Sequence, residues 1–277
     1  MAEIGVFVVP DAGDPERTVE QAAAAEEVGL DLVAFQDHPY QRRFLDTFTL
    51  LAYLAARTDR VRLATDVANL PLRPPAMLAK AAASIDVLSS GRFELGLGAG
   101  GIPDRVATMG GPAREPGESV EALEEAIELI RLWWAGERKA SFEGRHYELR
   151  EATPGPPPAH PIGIWVGAYR PRMLRLTGRL GDGWLPSLTY LEGEDIAARH
   201  ATIDEAARAA GRDPRQIRRL VNVGVGDDWD AAPDRLARLV TDERFESLIV
   251  SIGDEEPVGA ITRIGEELAP RVRELVA

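Results

Sequence analysis

Four short stretches of this chain combine residue types that could do chemistry, and each follows an apolar run. Gln36-Asp37-His38-Pro39-Tyr40 sets a carboxylate beside an imidazole, the side chain that exchanges a proton most readily near neutral pH. Asp66-Val67-Ala68-Asn69-Leu70-Pro71-Leu72-Arg73 adds a second carboxylate, an amide and a guanidinium. Phe93-Glu94-Leu95-Gly96-Leu97 runs into Gly98-Ala99-Gly100-Gly101, where glycines free to take positive φ would let a flat or anionic group approach the backbone. Gly167-Ala168-Tyr169-Arg170-Pro171-Arg172 leads into a helix near Met173, so N–H groups without intrahelical partners lie beside two guanidinium groups. That is the chemistry of a phosphate site.

Each stretch also has a plainer reading. A glycine cluster can be a tight turn at a strand end, Asp-His-Pro is ordinary loop chemistry, and arginines at a helix start are often solvated. Asp37 either orients His38 or caps its loop. What separates the readings is where the stretches sit in the fold.

Short β-branched runs alternate with amphipathic helices along the chain, the signature of repeated βα units on a parallel sheet. Strands are expected at Ile4–Val9, Leu32–Phe35, Val61–Thr65, Phe93–Leu97, Ile162–Val166, Gly183–Leu185, Ile217–Val223 and Ser247–Val250. Eight such units predict an α/β fold, a (β/α)8 TIM barrel forming one domain over residues 1–277. The clearest helix runs over Glu118–Trp134, with Val120, Leu123, Ile127, Ile130 and Trp134 spaced for one buried stripe and Gly136 placed to end it. Between this fourth helix and the fifth strand, Ala140–Leu149 reads as a hairpin insertion around Glu143-Gly144, followed by a stiff Pro154–Pro161 connector. Trp184 is either core or a face for a ring. In such a barrel the loops after the strands share one face, and all four stretches fall there.

Composition narrows the function classes. A net charge of −13 and an isoelectric point near 4.9 exclude the basic face that nucleic acid or an anionic membrane would require. The absence of cysteine excludes disulfides, thiolate metal sites and cysteine nucleophiles. The start Met-Ala-Glu followed by a strand reads as lacking a signal peptide, and no apolar run has membrane-spanning length, so a cytoplasmic protein is expected. A metal or Schiff-base barrel enzyme would need clustered ligands or a lysine at a strand end. Lys80 falls inside a helix and Lys139 before the hairpin, and no metal site is expected.

Taken together, Asp37-His38, the Asn69-Leu-Pro-Leu-Arg73 segment, Leu88 to Gly100, Pro161-Ile-Gly-Ile-Trp-Val-Gly167 and Gly178-Arg-Leu-Gly-Asp-Gly-Trp184 resemble the bacterial luciferase-like flavin-dependent oxidoreductases over nearly the whole chain. The resemblance implies a (β/α)8 barrel binding reduced FMN or the deazaflavin coenzyme F420 at its C-terminal face. It implies that His38 lies near the cofactor ring, with Asp37 as its catalytic companion. Asp66-Val67 matches a dipeptide that often carries a non-prolyl cis bond, in a bulge backing the ring beside Asn69. Gly98, Ala99, Gly100 and Gly101 match the loop over the ribityl-phosphate arm, and Gly167, Ala168, Tyr169, Arg170, Pro171 and Arg172 match the phosphate-binding segment.

The departures matter too. Sugar-phosphate dehydrogenases that use F420 place a catalytic Glu just after the fourth-strand glycines, where this chain has Gly101, which argues against that activity; Pro74 stands where many relatives have His. The expected function is hydride transfer or monooxygenation on a small organic substrate, with F420 preferred over FMN and a non-catalytic flavin-binding barrel as the alternative. A second copy of the chain and a separate flavin or F420 reductase complete the expected partners. The Ile102–Glu118 loop and the hairpin are expected to line the substrate pocket, and His146, His160 and His200 to be structural.

Overall fold

Eight parallel strands close on themselves in the computed structural model, which describes residues 2–277 apart from 192, 194, 227, 254 and 255. The strands are β1 (Glu3–Val8), β2 (Leu32–Phe35), β3 (Arg62–Asn69), β4 (Phe93–Gly98), β5 (Ala140–Glu143), β6 (Glu148–Ala152), β7 (Ile164–Val166), β8 (Gly183–Trp184), β9 (Arg218–Gly224) and β10 (Ser247–Ser251). All but β5 and β6 form the barrel, in the order β1-β10-β9-β8-β7-β4-β3-β2; β5 and β6 pair with each other as the antiparallel hairpin. The helices are α1 (Pro15–Glu27), α2 (Thr47–Ala55), α3 (Pro75–Leu88), α4 (Pro103–Thr108), α5 (Pro116–Trp134), α6 (Pro171–Leu180), α7 (Ile196–Ala209), α8 (Ala232–Thr241), α9 (Pro257–Arg263) and α10 (Ala269–Leu275).

The two-residue period of each strand sorts its side chains into two cores. Val33 and Phe35, Leu63, Leu95 and Leu97, and Leu248 and Val250 face the helices in the large core; Leu32, Ala34, Ala64, Trp165, Leu185, Leu220 and Ile249 fill a separate cluster inside the barrel. Below that plug lies a polar layer, in which Arg62 Nη1 donates to Glu94 Oε1 at 3.2 Å and Ser247 Oγ to Glu3 Oε2 at 2.7 Å. Continuing the same inward column upward puts Asp66 two residues beyond Ala64 and Asn222 two beyond Leu220. The barrel is therefore closed by an apolar plug, with polar groups only at its ends.

Three local expectations change. The third strand does not stop at Thr65 but continues to Asn69 through a register shift between Thr65 and Ala68 against β4, because the bulge keeps the pairing going. The helix expected from Glu118 begins at Pro116, with Glu118 Oε2 accepting the Glu115 N–H at 3.3 Å. Trp133 rather than Trp134 closes its buried stripe; Trp134 is half-buried and donates Nε1–H to the Ala79 carbonyl at 2.9 Å. Trp184 is core, fully buried against Phe245 and His200.

Candidate active site

The loops after the barrel strands enclose a cleft of about 860 Å³ at the C-terminal mouth. Its walls include Asp37, His38, Asp66, Val67, Asn69, Gly98, Ala99, Gly100, Gly101, Gly167, Tyr169, Arg170 and Arg172, so four stretches distant in sequence meet around one cavity. Two of the expected residues are not on its wall. Ala168 is buried with its carbonyl accepting Trp184 Nε1–H at 2.8 Å, and Pro171 is an exposed first residue of α6. Both hold the segment's shape: a proline at that position gives up an N–H that has no intrahelical partner in any case.

Asp37 is buried, and both of its oxygens are occupied. Oδ2 accepts Arg73 Nε–H at 2.6 Å and the Asn69 N–H at 2.9 Å, while Oδ1 accepts from Arg73 Nη2 at 2.7 Å. The pair ties the end of β3 to the loop after β2. His38 instead shares a hydrogen bond between Nδ1 and the Tyr40 hydroxyl. Burial holds the His38 imidazole below its ordinary pKa despite the nearby Asp37 charge, so the ring is neutral at pH 7. Burial likewise raises the Tyr40 and Tyr169 phenols.

The bond between Asp66 and Val67 is cis. The Val67 side chain lies against β4: a Cβ on Gly98 would stand 2.7 Å from Val67 Cγ2, and one on Gly167 3.4 Å from the same atom. Gly98 is thus small to seat Val67. Of the four loop positions at the end of β4, Gly100 alone has positive φ, +87°, and a Cβ there would meet Pro71 Cγ at 2.4 Å. Gly98 and Gly101 do not need the left-handed region, contrary to expectation; at Gly101 a Cβ would find nothing within 4 Å.

Across the mouth, α6 begins at Pro171 with no capping hydrogen bond from the side chain of its N-cap residue, Arg170, and Arg172 pairs with Glu121 of α5 at 3.1 Å. Three buried polar atoms of wall residues have no partner among the described residues: Asp66 Oδ2, Asn69 Oδ1 and Asn222 Oδ1. Buried polar groups are ordinarily satisfied, and three open ones around one cavity fit a polar ligand lodged there.

Sequence reasoning gave no role to Tyr40, although it lies in the stretch after the second strand, and missed Asn222 and Ser251 on this wall. Asn222 did leave a signal, as the one amide within the apolar run Leu220-Val-Asn-Val. Of the expected substrate-lining segments, Ile102, Pro116 and Gly117 do line the cleft; no hairpin residue does among those described. The hairpin packs along α5, where Glu125 accepts the N–H groups of Arg145, His146 and Tyr147 at 2.8, 2.8 and 3.1 Å. His146, His160 and His200 all lie away from the cleft. No group of three or more His, Cys, Asp or Glu side chains among the described residues could hold a metal, and no helix among them is long and apolar enough to cross a membrane.

Fold and mouth together define a (β/α)8 barrel with one built cleft at the strands' C-terminal ends. The family model for luciferase-like monooxygenases matches residues 2–268, and the chain belongs to this luciferase-like family of flavin- and F420-dependent oxidoreductases. It is 35% identical over 226 residues to an F420-dependent glucose-6-phosphate dehydrogenase of Kineococcus radiotolerans, covering 79% of this chain and 66% of that one. A protein of the same name from Gordonia bronchialis is 35% identical over 237 residues, covering 82% and 69%. Among solved structures, an F420-dependent secondary alcohol dehydrogenase in complex with an F420-acetone adduct superposes with a TM-score of 0.83 at 19% identity, over 98% of this chain and 99% of that one. A monooxygenase from Streptomyces bottropensis gives 0.80 at 22%, over 97% and 99%. At these identities the two structures speak for the fold alone.

Proposed function

We propose that this barrel binds F420, in preference to FMN, in the cleft at its C-terminal mouth and transfers hydride to or from a small organic substrate. The observation that carries the reading is the convergence of the Gly98–Gly101 loop, the α6 start with Arg170 and Arg172, and three unpartnered buried polar atoms on one cavity of about 860 Å³. The F420-dependent names of the relatives at 35% identity favour the deazaflavin. When bound, the deazaflavin would give a hydride in its reduced form or accept one in its oxidised form, and reduced FMN would give the electrons for oxygen chemistry.

The chain's own residues would do the rest. The α6 N–H groups and Arg170 or Arg172 hold the phosphate, Val67 backs the ring, and neutral His38 holds or moves a proton at the reacting face. Asp37 acts as a positioning residue, because its oxygens are taken up by Arg73 and Asn69. The substrate we propose is not a sugar phosphate, since Gly101 brings no acid to the mouth. A second copy of the chain, a separate reductase and a cytoplasmic setting belong to the same proposal.

Titration of the purified protein with oxidised F420 and with FMN, followed by cofactor fluorescence, tests it. Tighter binding of F420 is expected. Preference for FMN would convert the reading to a flavin monooxygenase, and failure of both to bind would overturn it.

A further inference from the structure

Asp66 is unlike the other carboxylates of the barrel. It stands at the top of the inward column of β3, lines the cleft, and is 9% exposed. Asn222, in the matching column of β9, donates Nδ2–H to its Oδ1 at 2.9 Å. A carboxylic acid and an amide can close into a ring of two hydrogen bonds, which would satisfy Asp66 Oδ2 and Asn222 Oδ1 together. That ring is not formed: both atoms are buried and without a partner among the described residues. The amide fixes one oxygen of the carboxyl and leaves the other without a partner among the described residues, on a residue that lines the cavity.

No cation among the described wall residues balances it. Besides Asp66, the titratable or charged groups among the described residues of the cleft wall are Asp37, His38 and Tyr40 after β2, Tyr169, Arg170 and Arg172 after β7, and Tyr190 after β8. β1, β4, β9 and β10 bring only side chains that do not titrate to the described wall. Asp37 is bound to Arg73, Arg172 is paired with Glu121, and Arg170 is exposed at the rim. Burial pushes the Asp66 carboxyl up to about 7, opposed only by the bond from Asn222, and its charge raises the Tyr169 phenol.

We propose that Asp66 is the hydrogen-bond donor of the cleft floor, presenting Oδ2–H to an acceptor atom on the ring of the bound heterocyclic cofactor while Asn222 holds Oδ1. An ionised Asp66 offers that atom only a second acceptor and repels it, so the protonation of this one side chain gates binding. The inference rests on the cleft being the cofactor site, and assigns Asp66 a polar role beyond the bulge that carries it.

The test compares FMN and F420 affinity of the wild type with that of Asp66→Asn from pH 6 to 9, by fluorescence. The amide of the variant donates at every pH, and the ratio of the two affinities cancels titration of the ligand itself and of His38, while the Tyr40 and Tyr169 phenols, raised by burial, stay protonated across this range. The ratio is expected to be level near pH 6 and to turn against the wild type by about tenfold per pH unit above 7, ~100-fold by pH 9. A ratio constant with pH, with ligand bound to both proteins, overturns the assignment of Asp66 and leaves the cofactor reading standing. Absence of binding to either protein overturns the cofactor reading and this inference with it. The wild type alone provides a second measurement that does not depend on the variant folding. In an infrared pH titration with carboxyl-labelled aspartate, a protonated C=O band that disappears near pH 7 is expected, and a carboxyl already ionised at pH 6 overturns the proposal.

Discussion

Arg73 grips Asp37 through two nitrogens, Nε to Oδ2 at 2.6 Å and Nη2 to Oδ1 at 2.7 Å, while the same Nη2 reaches Asp46 Oδ2 at 2.7 Å. The Asp37 side chain is almost wholly buried and Arg73 largely so. Removing the guanidinium leaves a buried charge with only the Asn69 N–H to compensate it, at a cost of about 3–5 kcal/mol. Arg73→Leu should therefore lower the urea midpoint strongly, and adding Asp37→Asn should recover part of the loss. Equal stability of wild type and Arg73→Leu would mean that the pair does not hold the mouth together.

His38→Ala is expected to lower turnover at least tenfold, about 1.4 kcal/mol in the barrier, with cofactor affinity changed less. Because burial holds the imidazole below 6.5, kcat should stay level through neutrality and fall only as the ring is protonated at more acid pH. A kcat that already declines on passing down through pH 7.5, or turnover unaltered in the alanine variant, removes His38 from the chemistry.

The loop glycines should separate. Gly100→Ala places a Cβ against Pro71 in a left-handed backbone and should cost roughly 1–3 kcal/mol of stability. Gly101→Ala meets nothing within 4 Å and should stay within about 0.5 kcal/mol of wild type. Thermal unfolding of the two variants side by side decides; the reverse order would contradict the loop's geometry.

At the start of α6, loss of one guanidinium should weaken cofactor binding roughly 5- to 150-fold, with the Coulombic part shrinking as salt is added. Arg170→Ala should do more than Arg172→Ala, since Arg172 is already paired with Glu121 at 3.1 Å. Affinities at low and high salt measure this. If neither variant binds more weakly, the phosphate lies elsewhere.

His200 should set part of the acid limit of stability. Its Nδ1 accepts from Arg219 Nε–H at 2.9 Å, so Nε2–H is the atom that donates to the Glu243 carbonyl at 2.8 Å. Burial, together with Arg219, depresses the ring to about 4 from 6.5. Below 6.5 the unfolded chain binds a proton that the native ring refuses, so stability falls as pH drops from 6.5 toward 4, by about 3 kcal/mol over that window. Denaturant unfolding of His200→Gln should show a flatter slope over the same range; an identical slope would place the acid sensitivity in other groups.

By itself the sequence determined the eight strands, the helices between them, and the presence of His38, the β4 glycines and the α6 start on one face. Those features are local. Alternating apolar residues set a strand's faces, a 3.6-residue stripe sets a helix's, and glycine and proline mark the turns, so each unit writes its own signal. What only the tertiary structure decided is which side chains meet across the barrel. Asp66 and Asn222 are 156 residues apart, and their contact follows from closure and strand register, which place both at the top of one inward layer. The same holds for Asp37, whose choice between His38 and a loop cap went to Arg73, 36 residues on. The hairpin's departure from the cleft to the flank of α5 depended on Glu125, a helix residue whose carboxylate found three N–H groups only once the chain had folded back. Periodicity records how deeply a residue is buried; closure and strand register decide which neighbours it meets there.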